Sequence, residues 1–171
     1  MSIQSQKKNM QIIFSLASQD LGYICGEHES GPNGAKKQFH TKSAAFLRAL
    51  SNDLGLKEFK VFNNHGGIAV SGEITLIGMW DDGNGLYFQI NQPLPPFNSF
   101  LYRSIKHMKD FSSGSNQWMD YELFEAGDYE AVLDMLLTLR QSSTTQVEDD
   151  AYAEIALPTD EGTRTVSRRV A

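Results

Sequence analysis

Three permanent cations and a histidine, Arg103, Lys106, His107 and Lys109, fall within seven consecutive residues. Tyr102, Phe111 and Trp118 stand beside them, and Asp110 and Asn116 supply acceptors. Cations interleaved with aromatics suit phosphate contact combined with base stacking. The same residue types anchor protein–protein interfaces, where Arg, Tyr and Trp dominate. A third reading is a solvated strand face whose aromatics cover the core. The candidate binding set is therefore Tyr102, Arg103, Lys106, Lys109, Asp110, Asn116 and Trp118. If the chain were an enzyme, His107, Asp110 and Glu73 would be its acid–base candidates by chemistry and position. They form no catalytic motif, so no catalytic residue is assigned.

Other groups carry less. Cys25, His28 and His40 have zinc-ligand chemistry, but a closed structural site needs four ligands and these three are irregularly spaced. They read as histidines beside a free thiol, with no metal. Asp81-Asp82-Gly83-Asn84-Gly85 offers oxygens to a hard cation, yet lacks the bidentate acid of a calcium loop and reads as a turn. Gly66-Gly67 and Ser112-Ser113-Gly114-Ser115 lack the phosphate-binding lysine and the dinucleotide fingerprint. Neither a Gly-x-Ser-x-Gly elbow nor a His-Glu-x-x-His pair occurs. No cofactor is expected.

Charge is uneven along the chain. Residues 1–120 hold eleven Lys/Arg against ten Asp/Glu, whereas residues 121–171 hold four Arg against eleven Asp/Glu. A field of that sign repels nucleic acid and attracts basic protein surfaces. Glu148, Asp149, Asp150 and Glu154 form the candidate acidic surface. The single cysteine rules out an internal disulfide and favours a reducing compartment. No apolar run approaches the ~20 residues of a membrane span. Lys7-Lys8 ahead of Ile12–Ala17 mimics a secretory signal only in part, because the apolar stretch is short and Gln19-Asp20 follow at once. With 40% hydrophobic and 21% charged residues, the composition is that of a globular chain with one core.

The elements that must position these groups follow from hydrophobic period. Ile12–Ala17 reads as a buried strand or short helix, and Gly26–Lys37 as an exposed loop. A helix capped by Thr41 or Ser43 carries Phe46, Leu47, Leu50 and Leu54, and Gly55 stops it. The period then falls to two. Phe59 and Val61 precede an Asn63–Gly67 turn, and Ile68, Val70, Ile74, Leu76 and Trp80 face one way, opposite Ser71, Glu73 and Thr75. Asp81–Gly85 is a hairpin turn, after which Leu86, Phe88 and Ile90 face one side and Tyr87, Gln89 and Asn91 the other. An antiparallel sheet with one buried face is expected. Pro93–Pro96 ends that strand. Residues 100–119 fit either a helix or, preferably, a second hairpin. A last helix starts at Asp128 and carries Val132, Leu133, Leu136, Leu137 and Leu139 up to about Gln141. The expected fold is α+β, an antiparallel sheet of about four to six strands against two helices. It occupies residues 1–141, with an acidic, flexible tail over 142–171.

Gly66–Glu73, Tyr87–Gln92, Tyr102-Arg103 and Lys109–Gln117 together resemble uncharacterised domains encoded on phages and plasmids, over roughly residues 59–119. That resemblance carries no assigned activity. It implies a mobile-element protein working in a bacterial host's cytoplasm. The leading expectation is a small non-enzymatic accessory protein that binds a host protein, as a counter-defence inhibitor of the anti-CRISPR or anti-restriction type. The alternative is a nucleic-acid-associated module, or an undetected nucleic-acid-processing enzyme, that uses residues 102–118. Under that alternative the acidic tail covers the basic face until a partner displaces it. Neither reading sets an oligomeric state.

Overall fold

The computed structural model describes residues 2–19, 34–64, 74–92, 98–110, 113–145, 153–159 and 162–168, and from residue 141 onward their backbone alone. Helix α1 (Ile3–Ala17) is opened by Ser2, whose Oγ accepts from the Ser5 N–H at 3.3 Å. Gln6, Met10, Ile13, Leu16 and Ala17 recur every three or four residues and form its buried stripe. The apolar run at Ile12–Ala17 is thus the second half of a longer helix.

Helix α2 (Ala35–Asp53) begins earlier than the Thr41 or Ser43 cap expected from sequence. Thr41 Oγ1 donates to the Lys37 carbonyl at 2.8 Å, one turn back inside the helix, and Ser43 is buried. A hydroxyl can bond the preceding turn as readily as it caps a following one. Gly55 does stop the helix. Its φ of +68° turns the chain so that the Gly55 N–H reaches the Asn52 carbonyl and the Leu56 N–H the Ser51 carbonyl, each at 3.0 Å. Leu56 is buried beyond it.

Five strands follow in meander order: β1 (Glu58–Asn63), β2 (Ile74–Met79), β3 (Gly85–Ile90), β4 (Ser99–Ile105) and β5 (Gln117–Asp120), each antiparallel to the next. Residues 100–119 are therefore a hairpin. Helices α3 (Glu122–Ala126) and α4 (Tyr129–Thr145) complete an α+β fold. Asp128 caps α4, its Oδ1 accepting from the Ala131 N–H at 3.2 Å. Ile68 and Val70, assigned to the same inward face as Ile74, lie outside the described residues.

One face of the sheet carries Ile74, Leu76, Leu86, Phe88, Ile90, Phe100, Tyr102 and Met119 in a single core with buried residues of all four helices. Aromatic rings fill its centre: Phe100 lies 4.7 Å from both Tyr121 and Phe124, and Phe46 lies 5.3 Å from Phe124. Tyr129 ties α4 to α2 by donating to Asp53 Oδ2 at 2.6 Å, and burial pushes its phenol pKa far up.

The expectation of a single buried face is corrected. Ile77, Tyr87, Leu101 and Ile105 form a second buried cluster on the opposite face, with Met79 and Met108 packed against it. Thr75 and Gln89 are buried there too, Gln89 accepting from the Tyr87 hydroxyl at 2.9 Å. A polar side chain with a partner is as compatible with burial as an apolar one.

The chain divides after Arg140 into two units. The second begins with the last turn of α4 and contains a hairpin, β6 (Ala153–Thr159) against β7 (Gly162–Arg168). The stretch read as a tail therefore includes two strands. Among the described residues no helix is long and apolar enough to cross a membrane.

Arg140, the last residue of the first unit, lies on α4 against the β2–β3 turn. Its Nε donates to Asp82 at 2.6 Å and its guanidinium to Asp81 at 2.7 Å, over the Trp80 ring. Burial opposes ionisation of Asp82, but the Arg140 hydrogen bond and charge outweigh it and lower its pKa. Asp82 therefore adds stability above the ordinary carboxylate range, and that stability is lost as pH falls through the lowered value. Arg140→Ala is expected to lower the melting temperature in dilute buffer and to lower it less in concentrated salt, because the pairs it breaks are exposed. A calorimetric series in sodium chloride checks this.

Candidate functional site

The β4–β5 hairpin holds most of the candidate binding residues, and Asp110 shapes the loop between its strands. Asp110 is 5% exposed. Its Oδ2 accepts from the Lys106 N–H at 2.9 Å, its Oδ1 from the Ser113 N–H at 2.8 Å, and the Ser113 hydroxyl donates to Oδ2 as well. The Asp110 N–H closes back on the His107 carbonyl at 2.9 Å. A carboxylate that gathers three donors fixes the loop's path rather than facing a ligand. With its backbone so held, the loop presents Lys106, His107 and Lys109 to solvent. The His107 Nδ1 accepts from the Lys109 N–H at 3.3 Å.

Arg103 lies on the second sheet face. Its guanidinium carbon is 4.7 Å from the centre of the Tyr87 ring, and its NH1 donates to Asn116 Oδ1 at 3.4 Å. Tyr87 is the cross-strand partner of Arg103, so the pleat itself brings ring and cation together. Trp118, opposite Leu101 on β5, shares that face and is the diagonal neighbour of Arg103. It is 56% exposed, the largest apolar side chain left open among the described residues.

Tyr102 does not join them. It pairs with Phe88 on the core side, is 5% exposed, and burial raises its phenol pKa. Its place in the candidate binding set is corrected, and it covers the core as the strand-face reading of this block has it: alternation along β4 sends Leu101 and Arg103 one way and Tyr102 the other. The structure thus brings together Arg103, Asn116 and Trp118, sets Lys106 and Lys109 on the adjoining loop, and uses Asp110 beneath them.

No family model, curated protein or solved structure matches this chain. The site must be read from its own geometry.

Sequence reasoning missed Tyr87, which supports Arg103, and the far end of β5. There Phe14, Ser18, Asn98, Asp120, Tyr121, Glu122 and Glu125 line a cleft of about 490 Å³. Its aromatic wall is the Phe14–Tyr121 pair, with ring centres 5.3 Å apart. The clustering of Asp120, Glu122 and Glu125 within six residues was the available signal.

The remaining candidates are separate. His40 is buried in α2 with its ring 5.9 Å from that of Phe39, whereas Cys25 and His28 lie outside the described residues. Among the described residues no group of three or more His, Cys, Asp and Glu side chains is arranged to hold a metal. Asp81 and Asp82, the other cation candidates, are paired with Arg140. Glu73, Glu148, Asp149 and Asp150 also lie outside the described residues, and Glu154 stands opposite Ser167 in the β6–β7 register.

Proposed function

We propose that this chain is a non-enzymatic binding protein that contacts a partner protein through the second sheet face at the β4–β5 hairpin. The observation that carries this reading is Trp118: an indole 56% exposed on a paired strand, diagonal to an arginine already stacked on Tyr87. An open tryptophan beside a pre-positioned guanidinium is the composition of an interface hot spot, and the order of the guanidinium before contact lowers the entropy cost of binding. We read the role as that of a small phage or plasmid accessory protein that engages a host protein in the bacterial cytoplasm, as a counter-defence inhibitor. The excess of acid over residues 121–171 supports a target with a basic, nucleic-acid-binding cleft.

A second reading rests on the cations. Arg103, Lys106 and Lys109 next to an exposed indole also suit single-stranded nucleic acid. An affinity capture of the tagged protein from bacterial lysate, with and without nuclease, separates the two. A stoichiometric protein partner that survives nuclease supports the first reading; recovery of nucleic acid alone supports the second.

Trp118→Ala is expected to lower the melting temperature by only about 3–8 °C, leaving the protein folded at ordinary temperature, since more than half of the side chain is open to solvent. The same change is expected to weaken a captured partner's affinity by about 30-fold, the size of a hot-spot loss. Binding unchanged by Trp118→Ala would remove the hairpin from the interface. The acidic part of the reading has its own test. Partner binding that survives neutralisation of Glu148, Asp149, Asp150, Glu154, Asp160 and Glu161 at low salt would rule out charge mimicry.

A further inference from the structure

We propose that the open edge of β5 receives an extended segment of the partner protein as a sixth strand, antiparallel to β5, with a basic N-terminal end and an acidic C-terminal end. The inference rests on the binding reading above and specifies the mode of contact.

Three observations carry it. First, β5 pairs with β4 alone, so one of its sides is an open edge among the described residues. The Tyr121 N–H bonds the Asn98 carbonyl at 3.1 Å, which fixes the phase of the ladder. In an antiparallel pair the residues facing the partner strand alternate with residues facing away. Gln117, Met119 and Tyr121 therefore point their backbone groups at β4, and Trp118 and Asp120 point theirs outward. An incoming strand finds two N–H and two C=O groups aligned to receive it.

Second, although β5 is short and ends in Asp120, this edge lacks three devices that block strand addition. β5 contains no proline and no lysine, and its register with β4 runs without a bulge over all four residues. In β1, the opposite edge strand, Lys60 sits at the centre and Lys57 just ahead of it, so β1 is charged in the manner of a protected edge.

Third, the two ends of β5 carry opposite charge. At its start stand Arg103, bonded to Asn116, and the loop lysines 106 and 109. At its end stand Asp120, Glu122 and Glu125 around the cleft walled by Phe14 and Tyr121. A guest strand is oriented by that dipole, since like charges brought together cost more than opposite charges return. In the antiparallel sense its N-terminal residues meet the carboxylates, and a lysine or arginine there enters the cleft against the two rings. Its C-terminal residues meet Arg103, Lys106 and Lys109. Between them, an apolar residue on the second face covers the exposed part of Trp118.

Two labelled peptides test the proposal on the intact protein: Arg-Lys-Thr-Val-Thr-Ile-Thr-Asp-Glu and its charge-exchanged counterpart Glu-Asp-Thr-Val-Thr-Ile-Thr-Lys-Arg. Fluorescence anisotropy is expected to show the first binding at least about tenfold more tightly than the second. In 15N-resolved spectra the Trp118 and Asp120 amides should move most. Methylating the first peptide's amide nitrogens along the edge that faces β5 should abolish its binding, a control that leaves the protein unaltered. Equal affinity for the two peptides, no binding of the first, or indifference to methylation would each overturn strand addition. The broader reading fails separately. Asp120→Pro removes one outward N–H without touching a β4 bond. A captured partner lost on Trp118→Ala but kept on Asp120→Pro would leave the hairpin interface standing and strand addition refuted, whereas one that survives both would refute the interface itself.

Discussion

Ile74→Asp is expected to leave no cooperative thermal transition. Ile74 is fully buried in β2, between Asn63 of β1 and Ile90 of β3, on the face that packs against the helices. Losing its burial costs about 1.5–3 kcal/mol. An unpaired carboxylate in the same position adds several kcal/mol after relaxation. Together they reach about 5 kcal/mol or more, the lower end of a small domain's whole stability. Phe62→Asp is the matched control. Phe62 pairs with Thr75 across the same two strands but is 46% exposed on the other face, so its loss is expected to cost only about 1–1.5 kcal/mol and to leave a cooperative transition. Circular dichroism melts of both variants decide the matter. A normal melt for Ile74→Asp and an unfolded Phe62→Asp would mean that the strand faces are reversed.

The part of the fold readable from residues alone is the part where local chemistry leaves few options. Asp81–Gly85 can hardly be anything but a turn, and in the structure the Trp80 N–H reaches the Asn84 carbonyl at 2.8 Å while Asp82 Oδ1 accepts from the Asn84 N–H at 3.0 Å. Gly55 and Asp128 mark helix ends for the same reason. Helix starts without a side-chain cap are harder to see. Gly34 opens α2 with no side-chain bond, and Thr41 and Ser43 downstream look like caps although both lie inside the helix. Phe39 extends the stripe of Phe46 and Leu50 back towards the true start, and composition hid it, since Lys36, Lys37 and Gln38 adjoin a glycine-rich stretch.

The second sheet face was hidden by a different effect. Ile77 and Tyr87 sit at positions that strict alternation assigns to solvent, so a strand buried on both faces reads as one with an occasional outward apolar residue. That misreading matters for the site, because Tyr87 is the platform for Arg103. The cations of residues 103–109 could be picked out by type, whereas their division could not. Whether Tyr102 or Arg103 faced the core depended on the register of β4 against β3, a long-range pairing. The role of Asp110 depended on a loop closure that no periodicity encodes.

Gly114→Ala is expected to disturb that loop more than any other single methyl group. Gly114 has φ near +77°, where an L side chain is strained by about 1–3 kcal/mol. The new Cβ would also stand 2.3 Å from the carbonyl oxygen of Ser104 and 2.8 Å from its Oγ. The hydroxyl can rotate away, but the carbonyl belongs to β4, where Ser104 pairs with Leu86 of β3. Relief therefore requires the loop to withdraw from β4, which breaks the path that Asp110 fixes through Lys106 and Ser113. Strain and displacement together are expected to cost about 2–4 kcal/mol, or roughly 5–15 °C in melting temperature. The functional consequence separates this change from ordinary destabilisation. Arg103 and Trp118 take their positions from strand pairing and from Asn116 just beyond the glycine. Peptide binding at the β5 edge should consequently fall even at temperatures where the variant is fully folded. Serine, similar in size to alanine, offers a second substitution with the same expected outcome. A Gly114→Ser protein that melts and binds like the parent would show that the approach to Ser104 is not part of the native loop.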